Sequence, residues 1–122
     1  MLTGVAIGAV VVAVGAFTKP ADATNAYLRD VRAGQYAAAY SHLCTARRDE
    51  RSLAAFRAQL QGAGPQNQID RFNVYYSVVH GNGRTATTRY TLNRVLTRER
   101  WEVDLVKEGG QWRLCHFTQL EY

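Results

Sequence analysis

Cys44, in "SHLCTARR", and Cys115, in "GGQWRLCHF", are the two cysteines of the chain, and each has a histidine close by, His42 and His116. Such a set suits several chemistries. Two sulfurs and two imidazole nitrogens are the right count for zinc. The spacing is wrong for it, because positions 42 and 44 point about 200° apart on a helix and neighbours 115 and 116 point to opposite faces of a strand. No metal is therefore expected. Thiol catalysis needs a base and a third group that orients the base, and the sequence shows no such third group. Two readings remain, a Cys44–Cys115 disulfide and a pair of buried free thiols in a cytosolic domain.

The disulfide is preferred. The chain opens on an apolar, export-like run, and disulfides belong to oxidising compartments. A cross-link over so long a loop is worth about 4 kcal/mol in the chain-entropy picture. One difficulty accompanies it. Alternation in the last strand turns Trp112 and Leu114 inward and Cys115 outward, so a β-bulge or a place at the sheet margin is required to bring Cys115 to the helices.

A second group of residues could line a pocket. Tyr76, Thr88, Tyr90 and His116 fall on the face assigned inward, and Tyr27, Tyr36 and Tyr40 can enter from the helices. A Tyr76/Tyr90/His116 cluster with Tyr27 and Tyr40 could hold a small ligand, although tyrosine also serves as a half-polar packing residue. Isomerase or hydrolase chemistry would need carboxylates in that pocket as acid or base. Glu102 and Asp104 fall on the outward face, Asp70 lies at a strand start, and Asp30 sits among helical apolar residues beside Arg29 and Arg32. None of them is expected to pair with a second acid or a histidine. No phosphate loop, dinucleotide fingerprint, zinc-protease helix or nucleophile elbow is present. No catalytic residues and no cofactor are expected.

The elements that must position these groups follow from periodicity. After Pro20, "ADATNAYLRDVRAGQYAAAYSHLC" has a helical period, with Thr24 or Asn25 as cap and Tyr27, Leu28 and Val31 on one stripe. Gly34 ends that helix, and Tyr36, Ala39, Tyr40 and Leu43 carry a second one to Cys44. "RDERSLAAFRAQLQGAG" reads as a third, capped by Ser52 or Asp49 and stopped before Pro65. From Ile69 the period drops to two. Phe72, Val74, Tyr76 and Val78 share a face, as do Ala86, Thr88, Tyr90 and Leu92, and then Trp101, Val103 and Leu105. "GNG" at 81–83 and "EGG" at 108–110 are turn signals. The expected architecture is α+β, with three helices packed on a curved four-stranded antiparallel sheet.

Residues 2–18 would span about 25 Å as a helix, a little less than the hydrocarbon thickness of about 30 Å. "MLTGVAIGAVVVAVGAF" carries no charged side chain and is apolar on every face, which disfavours a buried core helix. Residues 1–19 are expected to be a single-pass anchor. A cleaved signal peptide, with an A-x-A site at Ala21-Asp22-Ala23, is the alternative, although no basic region precedes the run. Residues 20–122 then form one domain. The formal charge of +5 comes almost wholly from arginines. They are dispersed rather than blocked, so a solvated surface is expected and nucleic acid is not. A literal count of flanking positive charge would keep the domain in the cytosol. The disulfide reading outweighs it and places the domain outside.

The order "AYLRDVRAGQYAAAYSHLCTARR", then "LAAFRAQL", then strands ending "WEVDLVKEGGQWRLC" resembles the nuclear-transport-factor-2-like superfamily. The closest likeness is to its membrane-anchored domains of unknown function common in actinobacteria. The match covers roughly residues 24–117, and the terminal hairpin is its most specific part. The resemblance implies a cone-shaped domain with a pocket between sheet and helices, and it implies no particular activity, because the superfamily holds enzymes, binders and structural modules alike. The expected function is a non-catalytic interaction module on the extracytoplasmic side of a bacterial cell membrane, an accessory or assembly subunit with a protein partner in an envelope complex. The alternatives are a domain binding a small molecule or lipid in the aromatic pocket, and an isomerase- or hydrolase-like enzyme using His116 with a tyrosine.

Overall fold

The computed structural model describes residues 19–62, 68–121 of the chain. The first helix, α1 (Pro20–Arg32), begins where proline is best tolerated, in the first turn, with Lys19 as an extended cap. The expected caps Thr24 and Asn25 lie inside the helix instead. Asp22 near its start and Arg29 and Arg32 near its end all complement the helix dipole. Its end is a Schellman turn. The Gly34 amide donates to Val31 O at 3.1 Å and the Gln35 amide to Asp30 O at 2.8 Å. Gly34 takes the left-handed φ of 76° that this closure requires.

Three shorter helices follow: α2 (Tyr36–Ser41), α3 (Thr45–Glu50) and α4 (Leu53–Gly62). Four are thus described where three were expected, since "TARRDE" forms a turn and a half of its own. Ser52 is the cap of α4, its Oγ accepting from the Ala55 amide at 3.1 Å. Tyr40 explains why α3 stays in place: its hydroxyl donates to the carbonyl oxygens of Arg48 and Arg51, at 2.9 and 2.6 Å, satisfying acceptors that the end of so short a helix leaves open.

The strands β1 (Ile69–Val79), β2 (Thr85–Arg94), β3 (Arg98–Glu108) and β4 (Gln111–Leu120) form one antiparallel meander in sequential order. Gly109 and Gly110, both with positive φ, make the two-residue turn between β3 and β4. In the turn between β1 and β2 the Asn82 side chain accepts from the amides of Arg84 and Thr85. The helices cover one face of the sheet. Leu28, Ala39, Leu43 and Phe56 pack there against Tyr90, Leu92, Val103, Leu105, Trp112 and Leu114.

α1 runs antiparallel to β1. The Thr24 hydroxyl meets that of Thr88 at 2.8 Å near its start, and the Arg32 guanidinium lies 5.4 Å from the Phe72 ring at its end. Thr24 and Thr88 are both fully buried. Thr24 Oγ1 donates to Pro20 O, so the Thr88 hydroxyl is the donor of the pair.

Three β-bulges reset the face of a strand, the first leaving Asp70 extra between Ile69 and Arg71. Val74 pairs with Tyr90 and Tyr76 with Arg89, so Tyr75 is extra. Asp104 pairs with His116 and Leu105 with Leu114, so Cys115 is extra. Beyond each bulge the inward set shifts by one residue. Tyr76 and Val78 therefore turn to the outer face, contrary to the alternation expected for β1.

The expected anchor, residues 1–19, lies outside the described residues except for Lys19. Among the described residues no helix is long and apolar enough to cross a membrane.

Candidate functional site

The chain between α2 and α3 pairs alongside β4. Leu43 forms a parallel bridge with Leu114, the Cys44 amide donates to Leu114 O and the Leu114 amide to His42 O, both at 2.8 Å. This stub covers part of the β4 edge, and it brings Cys44 to Cys115. The two form a disulfide with Cα atoms 5.1 Å apart. The bulge at Cys115 supplies the inward turn that simple alternation denies. Among the described residues no cluster of ligands for a metal occurs. Beside the stub, His42 is buried and shares a 2.8 Å hydrogen bond with Asp30 on α1. Burial holds its pKa below the usual histidine value, although Asp30 pulls in the opposite direction. Asp30 thus has a histidine partner that its place in the sequence does not show.

Between helices and sheet lies a cavity of about 750 Å³, in the size range of small-molecule sites. It sits toward the C-terminal end of α1, with α4, the start of β1 and the end of β2 as walls. Tyr27, Tyr40 and Tyr90 line it, as does Tyr36. Their roles differ. The Tyr40 ring packs 5.5 Å from Phe56 while its hydroxyl is committed to the α3 carbonyls. Tyr90 is 3% exposed, and burial pushes its hydroxyl pKa up. The Tyr27 hydroxyl is pushed up to about 12 by burial, with the Arg47 and Arg51 charges drawing it back down. Both phenols are neutral donors at any physiological pH.

Two expected pocket residues are not there. Tyr76 lies on the outer face, 41% exposed, with its ring 4.8 Å from the Arg89 guanidinium, which also pairs with Glu102 at 2.9 Å. His116 is exposed, paired with Asp104 across the outer face. Each sits just beyond a bulge, and the bulge is the reason. A His116–tyrosine pair inside the cavity does not form, because the sheet separates them. Phe117 takes the inward place of His116, its ring 5.5 Å from that of Tyr27.

Sequence reasoning missed Phe56, Trp101 and Phe117 as cavity walls, and Arg47 and Arg51 at its rim. Phe56 and Trp101 were legible as inward residues. The arginines carry no signal, since "ARRDERS" alternates in charge whichever way its helix faces. The carboxylates among the described lining residues are Glu50 and Glu99. Glu99 accepts from Trp101 Nε1 at 2.9 Å and from Arg94 Nε at 3.2 Å, and Glu50 pairs with Arg47 at 3.7 Å.

A sheet meander covered by N-terminal helices, with a cavity between the layers, defines a class, and solved structures share it. No protein-family model and no curated protein matches the chain. A SEC-C motif containing protein from Rhodopseudomonas palustris superposes with a TM-score of 0.69 at 13% identity, over 85% of this chain and 80% of that one. An NTF-2 like protein of unknown function from Shewanella oneidensis MR-1 gives 0.61 at 13% identity, over 83% and 95%. A DUF4783 family protein from Bacteroides ovatus ATCC 8483 gives 0.57 at 14% identity, over 80% and 94%. The chain has a fold of the nuclear-transport-factor-2-like kind, and at these identities the likeness concerns the fold alone.

Proposed function

We propose that this chain is a non-catalytic binding domain, held on the extracytoplasmic side of a bacterial membrane through residues 1–19, whose cavity takes a small hydrophobic molecule. The cavity carries the reading. At about 750 Å³ and walled by Leu28, Val31, Phe56, Leu60, Tyr90 and Trp101, it is large and apolar enough for a ligand, where a domain serving only as a contact surface would have packed it shut. The Cys44–Cys115 disulfide supports an oxidising compartment. The likeness of the terminal hairpin to membrane-anchored actinobacterial domains supports the tether.

Native mass spectrometry of the full chain, extracted from membranes in mild detergent, tests it. The expected spectrum shows the protein with one small-molecule adduct, lost in a Leu60→Trp variant that fills the cavity. Ligand-free wild-type protein, together with no thermal stabilisation by decanol, would overturn the reading.

A second reading, an accessory subunit of an envelope complex, is favoured by a separate observation. The distal half of β1 is an edge strand whose Tyr75, Tyr76, Val78 and Val79 are all exposed, an apolar strip able to accept a protein partner. Quantitative pull-down of the tagged full chain distinguishes the two. Stoichiometric recovery of a larger assembly supports the subunit reading, and recovery of this chain with only a small molecule refutes it.

A further inference from the structure

The polar groups of the cavity are not scattered. Tyr27 and Arg47 flank one ring, that of Phe117, with the tyrosine ring 5.5 Å and the guanidinium 5.6 Å from its centroid. Arg51 stands nearby, its position fixed through the carbonyl that receives the Tyr40 hydroxyl and through a side-chain hydrogen bond to Gln59. Tyr90 approaches from the sheet side, and its hydroxyl, like that of Tyr27, has no hydrogen-bond partner among the described residues. Tyr90 is 3% exposed as a residue, yet its hydroxyl is not among the buried unpaired atoms, so it opens on the cavity, where a guest or water accepts its proton.

The charges are sorted as well. Arg94 and Glu99 close on each other at 3.2 Å, and Arg32 rests on the Phe72 ring. Glu50, which is exposed, meets Arg47 at a loose 3.7 Å. What is left at the Tyr27 end is one cationic charge in excess and two neutral hydroxyl donors, beside walls of Leu28, Val31, Phe56 and Leu60. That combination fits a monoanion with an apolar tail. A phosphate ester would bring a second charge, and the cation left to balance it is Arg32, which is held on the Phe72 ring.

We propose that the cavity is a site for a medium-chain carboxylic acid, the carboxylate held by the hydroxyls of Tyr27 and Tyr90 and the guanidinium groups of Arg47 and Arg51, the tail lying along Phe56 and Leu60. This rests on the cavity reading above and adds the class of head group to it.

The test uses the full-length chain in one neutral detergent at pH 8, with decanoate, decanol and decyl phosphate titrated below their micelle concentrations. The readout is fluorescence of Trp101, which lines the cavity. Decanoate is expected to bind about tenfold tighter than decanol, the worth of a charge-assisted hydrogen bond. In an Arg47→Gln/Arg51→Gln variant the tenfold preference for decanoate over decanol is lost. In Tyr27→Phe the preference for decanoate shrinks severalfold.

Equal binding of decanoate and decanol by the wild-type chain would overturn the carboxylate and leave the cavity reading standing. Tighter binding of decyl phosphate would do the same. No binding of any of the three would overturn both.

Discussion

Removing the disulfide with Cys44→Ala/Cys115→Ala tests how much of the fold's stability depends on one bond. The cysteines are 71 residues apart in sequence, so the open chain regains the freedom of a loop of that length. The chain-entropy relation then gives a loss of about 4 kcal/mol at 25 °C. Both cysteines are buried, at 1% and 7% exposure, and trimming them to alanine removes some packing in addition. A domain of this size has a total stability on the order of 5–10 kcal/mol, so close to half of it disappears. At about 4–8 °C per kcal/mol, the melting temperature should fall by roughly 20 °C. Circular dichroism melts of the full chain, oxidised, reduced and doubly substituted, measure this, and the reduced and substituted forms should agree within a few degrees. A drop under about 5 °C in both would refute the reasoning. It would mean that the reduced unfolded chain keeps residual structure between the stub at Leu43 and β4, leaving the cross-link little unfolded-state freedom to remove.

The paired threonines should respond unequally. Thr24→Val leaves the Thr88 hydroxyl buried with no acceptor and should cost about 1–3 kcal/mol, whereas Thr88→Val leaves the Thr24 hydroxyl its bond to Pro20 O and should cost about 1 kcal/mol or less. Urea denaturation of the two variants compares them; equal costs would refute the asymmetry, and a larger cost for Thr88→Val would show that the donor order is reversed. His42 gives a pH dependence of definite sign. Its folded-state pKa lies below 6.5, so the folded protein binds fewer protons than the unfolded chain, and its contribution is complete above 6.5 and erodes as the pH falls from there toward the folded value. Melting temperatures should therefore fall between pH 7 and pH 5 in wild type more than in His42→Gln, and a flat comparison would refute this account of the histidine.

The sheet was legible wherever alternation is unbroken. In β2 and β3 every expected inward residue, from Ala86 to Leu92 and from Trp101 to Leu105, faces the helices, because strict period two admits one assignment per face. It failed at Tyr76 and His116 for one shared reason. A bulge changes the count by a single residue and leaves no trace in the hydrophobic pattern when both sides of it are apolar, as in "VYYSVV" and "LCHF". The bulge at Cys115 was legible indirectly, because the disulfide demanded it, but its effect on His116 followed only with the register in hand. At the helices, Gly34 and Ser52 announced their roles through chemistry that few other residues can supply. The start of α1 was misplaced because proline, read as a break before the helix, is also a good first residue of one. Arg47 and Arg51 were illegible because the facing of α3 is set by the Tyr40 hydroxyl, a contact the local sequence does not encode.

The course of α1 fixes how the domain would present itself if residues 1–19 hold it to a membrane. The helix starts over the pair Thr24–Thr88 and ends at Phe72, so Lys19 lies at one end of the sheet while the cavity, rimmed by Gly34, Gln59 and Gln68 among the described residues, lies at the other. A tether joined at Lys19 would meet the domain at the end of the sheet opposite the cavity. A guest would then arrive from the aqueous side or from a facing protein, never by sliding sideways out of the leaflet that carries the anchor.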